Sequence, residues 1–273
     1  RWAFVASSDT HRARPGTGYK AVDRMNTTEA NGPSSPMWAK FMGGSAEKPA
    51  RAIYATQDEL LASGAGMNIA DFERQSSFFT TGGLAAVHVD ERNRDGLWNG
   101  LQSRNVYATS GQRTLLWFTL EGETAVPMGS EIEQTGTPRF SARAVGSFKQ
   151  KPGCPDYALN GLSREKLTSL CANECYNPSD ERRLITRIEV VRIRPQSYEG
   201  EPVDHLIEDP WKVLPCDDQG EGCAVSFEDD EFASAARDTV YYVRAIEEPS
   251  LQVNGNNLRC ERDGEGNCIK VNP

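Results

Sequence analysis

Asp9 and His11 stand one residue apart in Ser8-Asp9-Thr10-His11, where a short apolar run over residues 2–7 ends. Five apolar residues in sequence predict a strand buried on both faces, as in a parallel sheet. Side chains two positions apart on a strand share a face, so this carboxylate and imidazole can converge on one point. The C-terminal ends of parallel strands are also where α/β folds place their sites. One carboxylate with one imidazole suits Zn²⁺, Mn²⁺ or Fe²⁺. Taken alone the pair is a weak signal, and a capping Asp beside a solvated His is its ordinary reading.

Other residues offer chemistry more faintly. Thr17, Gly18 and Lys20 follow the Asp-x-His segment and could face a substrate with backbone N–H groups or charge, although Gly-Thr-Gly usually makes a plain turn. Asp90 and Glu91 close a second apolar run, where a carboxylate either faces a site or caps the next helix. Tyr107 and Thr109 share a strand face, for packing or for lining a pocket. His88 reads as a hydrogen-bonded core histidine, and His205, beside Asp204, as solvated. Ser110 has no His-based triad pattern around it, which argues against a serine hydrolase. The acidic stretches 217–221 and 263–267 alternate oxygen donors with Gly as a Ca²⁺ loop does, but neither completes an EF-hand, so solvated acidic turns are expected.

All seven cysteines fall in the second half. Their spacing makes three short loops, Cys171 to Cys175, Cys216 to Cys223 and Cys260 to Cys268, and leaves Cys154 over. A zinc ribbon needs closely spaced pairs throughout, and only the first pair has that spacing. Disulfide-stapled loops in an oxidising compartment fit better. The odd cysteine then has a partner elsewhere or is a free thiol.

These residues need a scaffold, and the chain can build one. Its 273 residues are 38% hydrophobic and 25% charged, enough for a core and unlike a disordered tail. The net charge of −9 argues against a general nucleic-acid binder, and no apolar run is long enough for a membrane-spanning helix. Residues 1–113 read as α/β: the first strand, a Gly/Pro/Ser-rich stretch over 15–49, short helices over 57–63 and 68–74, a strand over 83–89, a helix over 92–104 and a strand over 105–109. That last strand–helix–strand order reads as a parallel crossover. From 114 to 273 the pattern turns to strands, at 114–120, 139–145, 184–194, 223–227 and 239–246, with helix only at 163–171. This half is expected to form a β-sandwich with Cys-bridged loops.

Several segments together resemble one family. Val5-Ala-Ser-Ser-Asp-Thr-His11, Arg14-Pro-Gly-Thr-Gly-Tyr-Lys20, Gly82-Gly-Leu-Ala-Ala-Val87, Leu101-Gln-Ser-Arg-Asn-Val-Tyr-Ala-Thr-Ser-Gly111 and Met128-Gly-Ser-Glu131 resemble the C-terminal part of the DUF3604 family. Val243-Arg-Ala-Ile-Glu-Glu-Pro249 and Asn257-Leu-Arg-Cys260 look like its tail. The family is related to the polymerase-and-histidinol-phosphatase (PHP) superfamily of metal-dependent phosphoesterases. The resemblance implies the closing part of a PHP-like distorted (β/α) barrel, whose last Asp-x-His metal motif corresponds to Asp9 and His11. It implies two or three divalent metal ions in the complete protein, with the remaining ligands upstream. On this reading Thr17, Gly18, Lys20, Glu91 and Tyr107 are the candidates, by their positions, for contacting the substrate.

The function expected on this basis is hydrolysis of a phosphoester or related ester by metal-activated water. The protein is expected to be periplasmic or secreted, with its signal peptide upstream of Arg1 and an upstream part of the same protein completing the site. A small-molecule ester is the expected partner, and an oligomer is compatible with the reading. The alternative is a non-catalytic secreted β-sandwich, a binding or scaffold module on a degenerate barrel.

Overall fold

The computed structural model describes residues 3–7, 56, 58, 83–171 and 173–250, with the backbone of 260–262 and 268–271. Elements run β1 (Leu84–Val87), α1 (Arg94–Gln102), β2 (Val106–Thr109), β3 (Leu115–Leu120), β4 (Val126–Pro127), β5 (Arg139–Val145) and β6 (Phe148–Gln150). Next come α2 (Asp156–Gly161), α3 (Arg164–Cys171), β7 (Pro178–Arg182), β8 (Ile185–Ile193), β9 (Ile207–Pro215) and β10 (Cys223–Glu228). The order ends with α4 (Phe232–Ala235), β11 (Val240–Glu247), β12 (Cys260–Arg262) and β13 (Cys268–Val271). The fold is mixed α and β, mostly sheet, with two disulfides and no closed barrel among the described residues.

The chain divides into two compact units. One holds 3–6, Ala85–Lys151 and Pro178–Pro249; the described parts of the other are chiefly Pro152–Asn177 and the β12–β13 hairpin.

In the first unit, two antiparallel sheets share one core: β10-β5-β3-β4 and β11-β8-β9. Alternation along β5 turns Phe140, Ala142 and Ala144 inward, and they meet Ile185, Ile188 and Val190 of β8, Val243 of β11, and Cys223 and Phe227 of β10. Phe118, Phe140 and Phe227 stack with centroids 5.1–6.1 Å apart, and Tyr241 of β11 closes on Phe140 at 4.7 Å. Trp211 of β9 meets Phe227 edge-on at 6.2 Å. These offset and edge contacts lock the two sheets together beyond simple area burial.

Three sequence expectations need correction. Residues 3–7 form no strand and are not buried: Val5 is exposed and Phe4 lays its ring on Tyr242, 4.9 Å away. A five-residue apolar run can be satisfied by docking one ring, without any ladder. Residues 83–89 shorten to β1, which is only partly buried. Finally, β9 is a strand that the expected set leaves out. Pro210 cannot donate to a ladder, but β9 is an edge strand that pairs only with β8, and its register shifts between Val190 and Arg192, where Asp209–Trp211 bulge out.

The β1–α1–β2 order matches the expected strand–helix–strand. The His88 N–H donates to the Asn105 carbonyl at 2.9 Å, joining the end of β1 to the start of β2. Gly100 of α1 is buried against this corner, and a Cβ there would lie 2.6 Å from the His88 carbonyl oxygen, so only glycine lets the helix approach.

Among the described residues, no helix is long and apolar enough to cross a membrane. That and the two disulfides are compatible with a periplasmic or extracellular protein.

Candidate functional site

Asp9, His11, Thr17, Gly18 and Lys20 lie outside the described residues, as do nearly all of the helices expected over 57–63 and 68–74. Glu91 and Tyr107 are described. Glu91 is exposed and its Oε2 accepts from Asn93 Nδ2 at 2.7 Å. Asn93 is the N-cap of α1, with its Oδ1 accepting from the Gly96 N–H at 2.7 Å. Glu91 therefore buttresses a cap rather than capping directly, and Asn93 is the residue the sequence reading missed.

Tyr107 is buried and its hydroxyl donates to the Thr114 carbonyl at 3.0 Å. Burial pushes its phenol pKa up, with a partial offset from a backbone hydrogen bond at Leu116. His88 packs on it, ring centroids 5.5 Å apart, and donates from Nε2 to the Leu116 carbonyl at 2.8 Å. Since a carbonyl only accepts, Nε2 carries the proton. This is the hydrogen-bonded histidine the sequence suggested. His205 is exposed in a turn, also as read.

Two of the family-like segments meet in space. Arg104, itself left-handed at φ 60°, donates from Nε to the Gly129 carbonyl at 2.9 Å. Gly129 has φ 82°, and a Cβ there would fall 2.1 Å from the Arg104 carbonyl oxygen. Substituting Gly129→Ala is expected to cost about 2 kcal/mol or more, because the left-handed backbone and the clash act together. Thermal unfolding of the variant checks it.

Glu247, within the tail-like segment, is a further residue that sequence reasoning passed over. Its Oε1 accepts from Thr114 Oγ1 and from the Ser147 N–H, both at 2.6 Å, and its Oε2 accepts from Ser147 Oγ at 3.0 Å. It ties the end of β11 to the segments flanking β3 and β6.

Of the acidic loops, 217–221 is described and is organised by Asp218. This buried carboxylate accepts from the Ile185 N–H at 2.8 Å, the Gly220 N–H at 2.7 Å and the Gly222 N–H at 2.9 Å. Burial alone would raise its pKa, but these backbone donors hold it below the usual carboxylate value. Asp218 thus folds the loop that the Cys216–Cys223 disulfide closes, instead of standing solvated. Asp218→Ala leaves three backbone donors without their acceptor and is expected to cost about 2–3 kcal/mol, read as a lowered urea midpoint with unchanged slope.

The second disulfide departs from the spacing rule. Cys154, left over in the sequence reading, bridges Cys175, and Cys171 is free. Adjacency along the chain favours 171 with 175, yet the connection through α2 and α3 returns Cys154 to the same corner. Cys154, Cys171 and Cys175 are the one group of metal-type ligands within mutual reach among the described residues, and two of the three sulfurs are spent on the bridge. Side chains of Cys260 and Cys268 lie outside the description.

The densest charge cluster sits at the two-sheet core. Arg192 is 3% exposed; it donates from Nη1 to Asp229 Oδ1 (2.8 Å), from Nε and Nη2 to Glu208 (2.6 and 2.9 Å), and from Nη2 to Glu231 Oε2 (2.8 Å). Tyr241 donates its hydroxyl to Asp229 Oδ2 at 2.6 Å, and the guanidinium lies 4.2 Å from the Trp211 ring centroid. Burial opposes ionisation of Asp229, but Tyr241 and Arg192 hold its pKa below normal. Burial and the charged Asp229 beside it push the Tyr241 phenol up. Four of the five guanidinium donors are engaged, so the cluster fastens β8, β9 and β11 to the end of β10.

Comparison with known proteins completes the picture. No curated protein matches the chain, and no solved structure does. The model of one family, described as a protein of unknown function (DUF3604), matches residues 1–151. That span exceeds half of the 273 residues and takes in Asp9, His11, Glu91, Tyr107 and the Arg104–Gly129 contact, so the chain belongs to the DUF3604 family.

Proposed function

We propose that this protein is part of an exported metal-dependent hydrolase that cleaves a phosphoester or related ester with metal-activated water. In this reading residues 1–113 are the closing part of a PHP-like barrel and 114–273 a β-sandwich with Cys-bridged loops. Asp9 and His11 hold a divalent ion, Zn²⁺, Mn²⁺ or Fe²⁺, as a hard oxygen and a borderline nitrogen donor do. The ion supplies a water acidic enough to act as hydroxide near neutral pH, and charge neutralisation on the ester oxygens. Lys20 adds positive charge beside those oxygens, while the Thr17–Gly18 backbone donates hydrogen bonds.

The observation that carries the reading is the family match over the Asp-x-His segment, joined to the donor chemistry of that pair. A specific observation favours the alternative, a non-catalytic scaffold: the described candidates Glu91 and Tyr107 are both engaged in local hydrogen bonds. Elemental analysis of the full-length protein, followed by a phosphatase screen with added Mn²⁺ or Zn²⁺, separates the two. Divalent ions retained through dialysis, with ester hydrolysis, support the hydrolase. No ion retained after Zn²⁺ or Mn²⁺ loading establishes the scaffold.

A further inference from the structure

We propose that Cys154, Cys171 and Cys175 form an exchangeable disulfide centre, in which the free thiol of Cys171 and the Cys154–Cys175 bridge interconvert with a Cys171–Cys175 bridge and a free Cys154. The Cys171 sulfur lies 3.5 Å from Cys175 Sγ and 3.9 Å from Cys154 Sγ, both near van der Waals contact. All three residues are half-buried, so solvent base reaches them while packing keeps them together. Cys171 and Cys175 are four residues apart, and the Glu174 N–H already donates to the Cys171 carbonyl at 2.8 Å, which folds the intervening turn tightly. The alternative bridge therefore asks for little chain movement.

The step is thiol–disulfide exchange and needs no outside oxidant or reductant. Cys171 S–H, which donates to the Leu167 carbonyl at 3.2 Å, first gives its proton to solvent base. The thiolate attacks Cys175 Sγ; the new S–S bond forms as the Cys175–Cys154 bond breaks, and the electron pair leaves on Cys154, which takes up a proton. Attack runs along the axis of the breaking bond. The three distances place the thiol side-on to the bridge, so the sulfur must swing before reaction. The last turn of α3, which ends at Cys171, and the left-handed Asn173 beyond it supply that movement.

Exchange unlocks the α2–α3 segment. In the observed form the Cys154–Cys175 bridge staples both of its ends; in the other form Cys154 is released and a short loop, with three residues between its cysteines, is closed instead. The Gly153 N–H to Glu174 hydrogen bond at 2.9 Å and the Asn177 Nδ2 to Pro152 carbonyl bond at 3.0 Å then remain among the contacts that hold the ends.

The test uses the full chain without reductant. Samples kept at pH 8.5 for hours are alkylated with N-ethylmaleimide, quenched in acid, digested with pepsin and mapped by mass spectrometry. Label on both Cys171 and Cys154, with a Cys171–Cys175 bridged peptide and an intact Cys216–Cys223 bridge, is the expected result. Label confined to Cys171 overturns the proposal. As a second arm, Cys154→Ser is expected to form the Cys171–Cys175 bridge on air oxidation and to lose the alkylatable thiol at 171; two free thiols at 171 and 175 overturn it equally.

Discussion

Replacing Asp229 with Ala is expected to cost about 3–5 kcal/mol, the largest stability loss of any single change considered. Asp229 is fully buried, and the substitution strips Arg192 of its most buried counter-charge while leaving the Tyr241 hydroxyl without an acceptor. An Arg side chain cannot shed its proton to escape, so its charge stays in the core, left with the more exposed Glu208 and Glu231 as partners. The loss depends on pH in a defined sense. The native carboxyl lies below its unfolded value, so its contribution is complete above the unfolded pKa of roughly 4 and disappears as pH falls through the native one. Urea unfolding of wild type and variant should therefore differ most at neutral pH and converge below about pH 4. A double variant, Arg192→Met with Asp229→Leu, removes both charges and should recover much of the loss, whereas additive losses would show that the pair is not coupled. A neutral-pH difference under about 1 kcal/mol, unchanged on acidification, would refute the network's role.

That network was invisible in the sequence for a physical reason. Its members come from β8, β9, the end of β10 and β11, and each charge taken alone reads as an ordinary surface residue. Periodicity reports one face of one strand; it carries no information on which strands become neighbours. Where local pattern is sufficient, the reading succeeded: Arg139–Val145 is β5 residue for residue, and β8, β10, β11 and α3 differ from expectation only at their ends. Where a proline or a charge interrupts the pattern on an edge, as in Ile207–Pro215, the strand went unread. The disulfide failed similarly, because spacing ranks partners by chain distance and the α2–α3 connection brings a distant cysteine closer. At the candidate site, His88 was legible, since a lone histidine in an apolar run needs a hydrogen bond. Asn93 was passed over although an Asn before an apolar helix face is a standard cap signal; attention went to the acids beside it.

The Arg104–Gly129 contact shows what part of the family pattern is architecture. Arg104 and Gly129, one from each family-like segment, meet at that junction through close approach and left-handed backbone, which are demands of packing. Asp9 and His11 belong to the same family match but lie outside the described residues. Under the proposed function their worth is in holding an ion, and that makes a separable prediction.

In the full-length protein, Asp9→Asn and His11→Ala are each expected to lower metal affinity by more than about 100-fold, since even outer partners of metal ligands are worth about 10–100-fold. Hydrolysis of a phosphoester probe should fall in parallel, because the activated water and the charge neutralisation leave together. The stability of the metal-free protein, read from urea unfolding, should stay within about 0.5 kcal/mol of wild type, because ion binding is the role this reading gives the two residues. His205→Ala, at an exposed turn, serves as the control with unchanged metal content and rate. Excess Mn²⁺ or Zn²⁺ should restore part of the activity of Asp9→Asn, whose amide oxygen still coordinates weakly, and less of that of His11→Ala, which has no donor. Full metal content in both variants would remove Asp9 and His11 from the site. A stability loss of several kcal/mol without metal would recast them as structural residues.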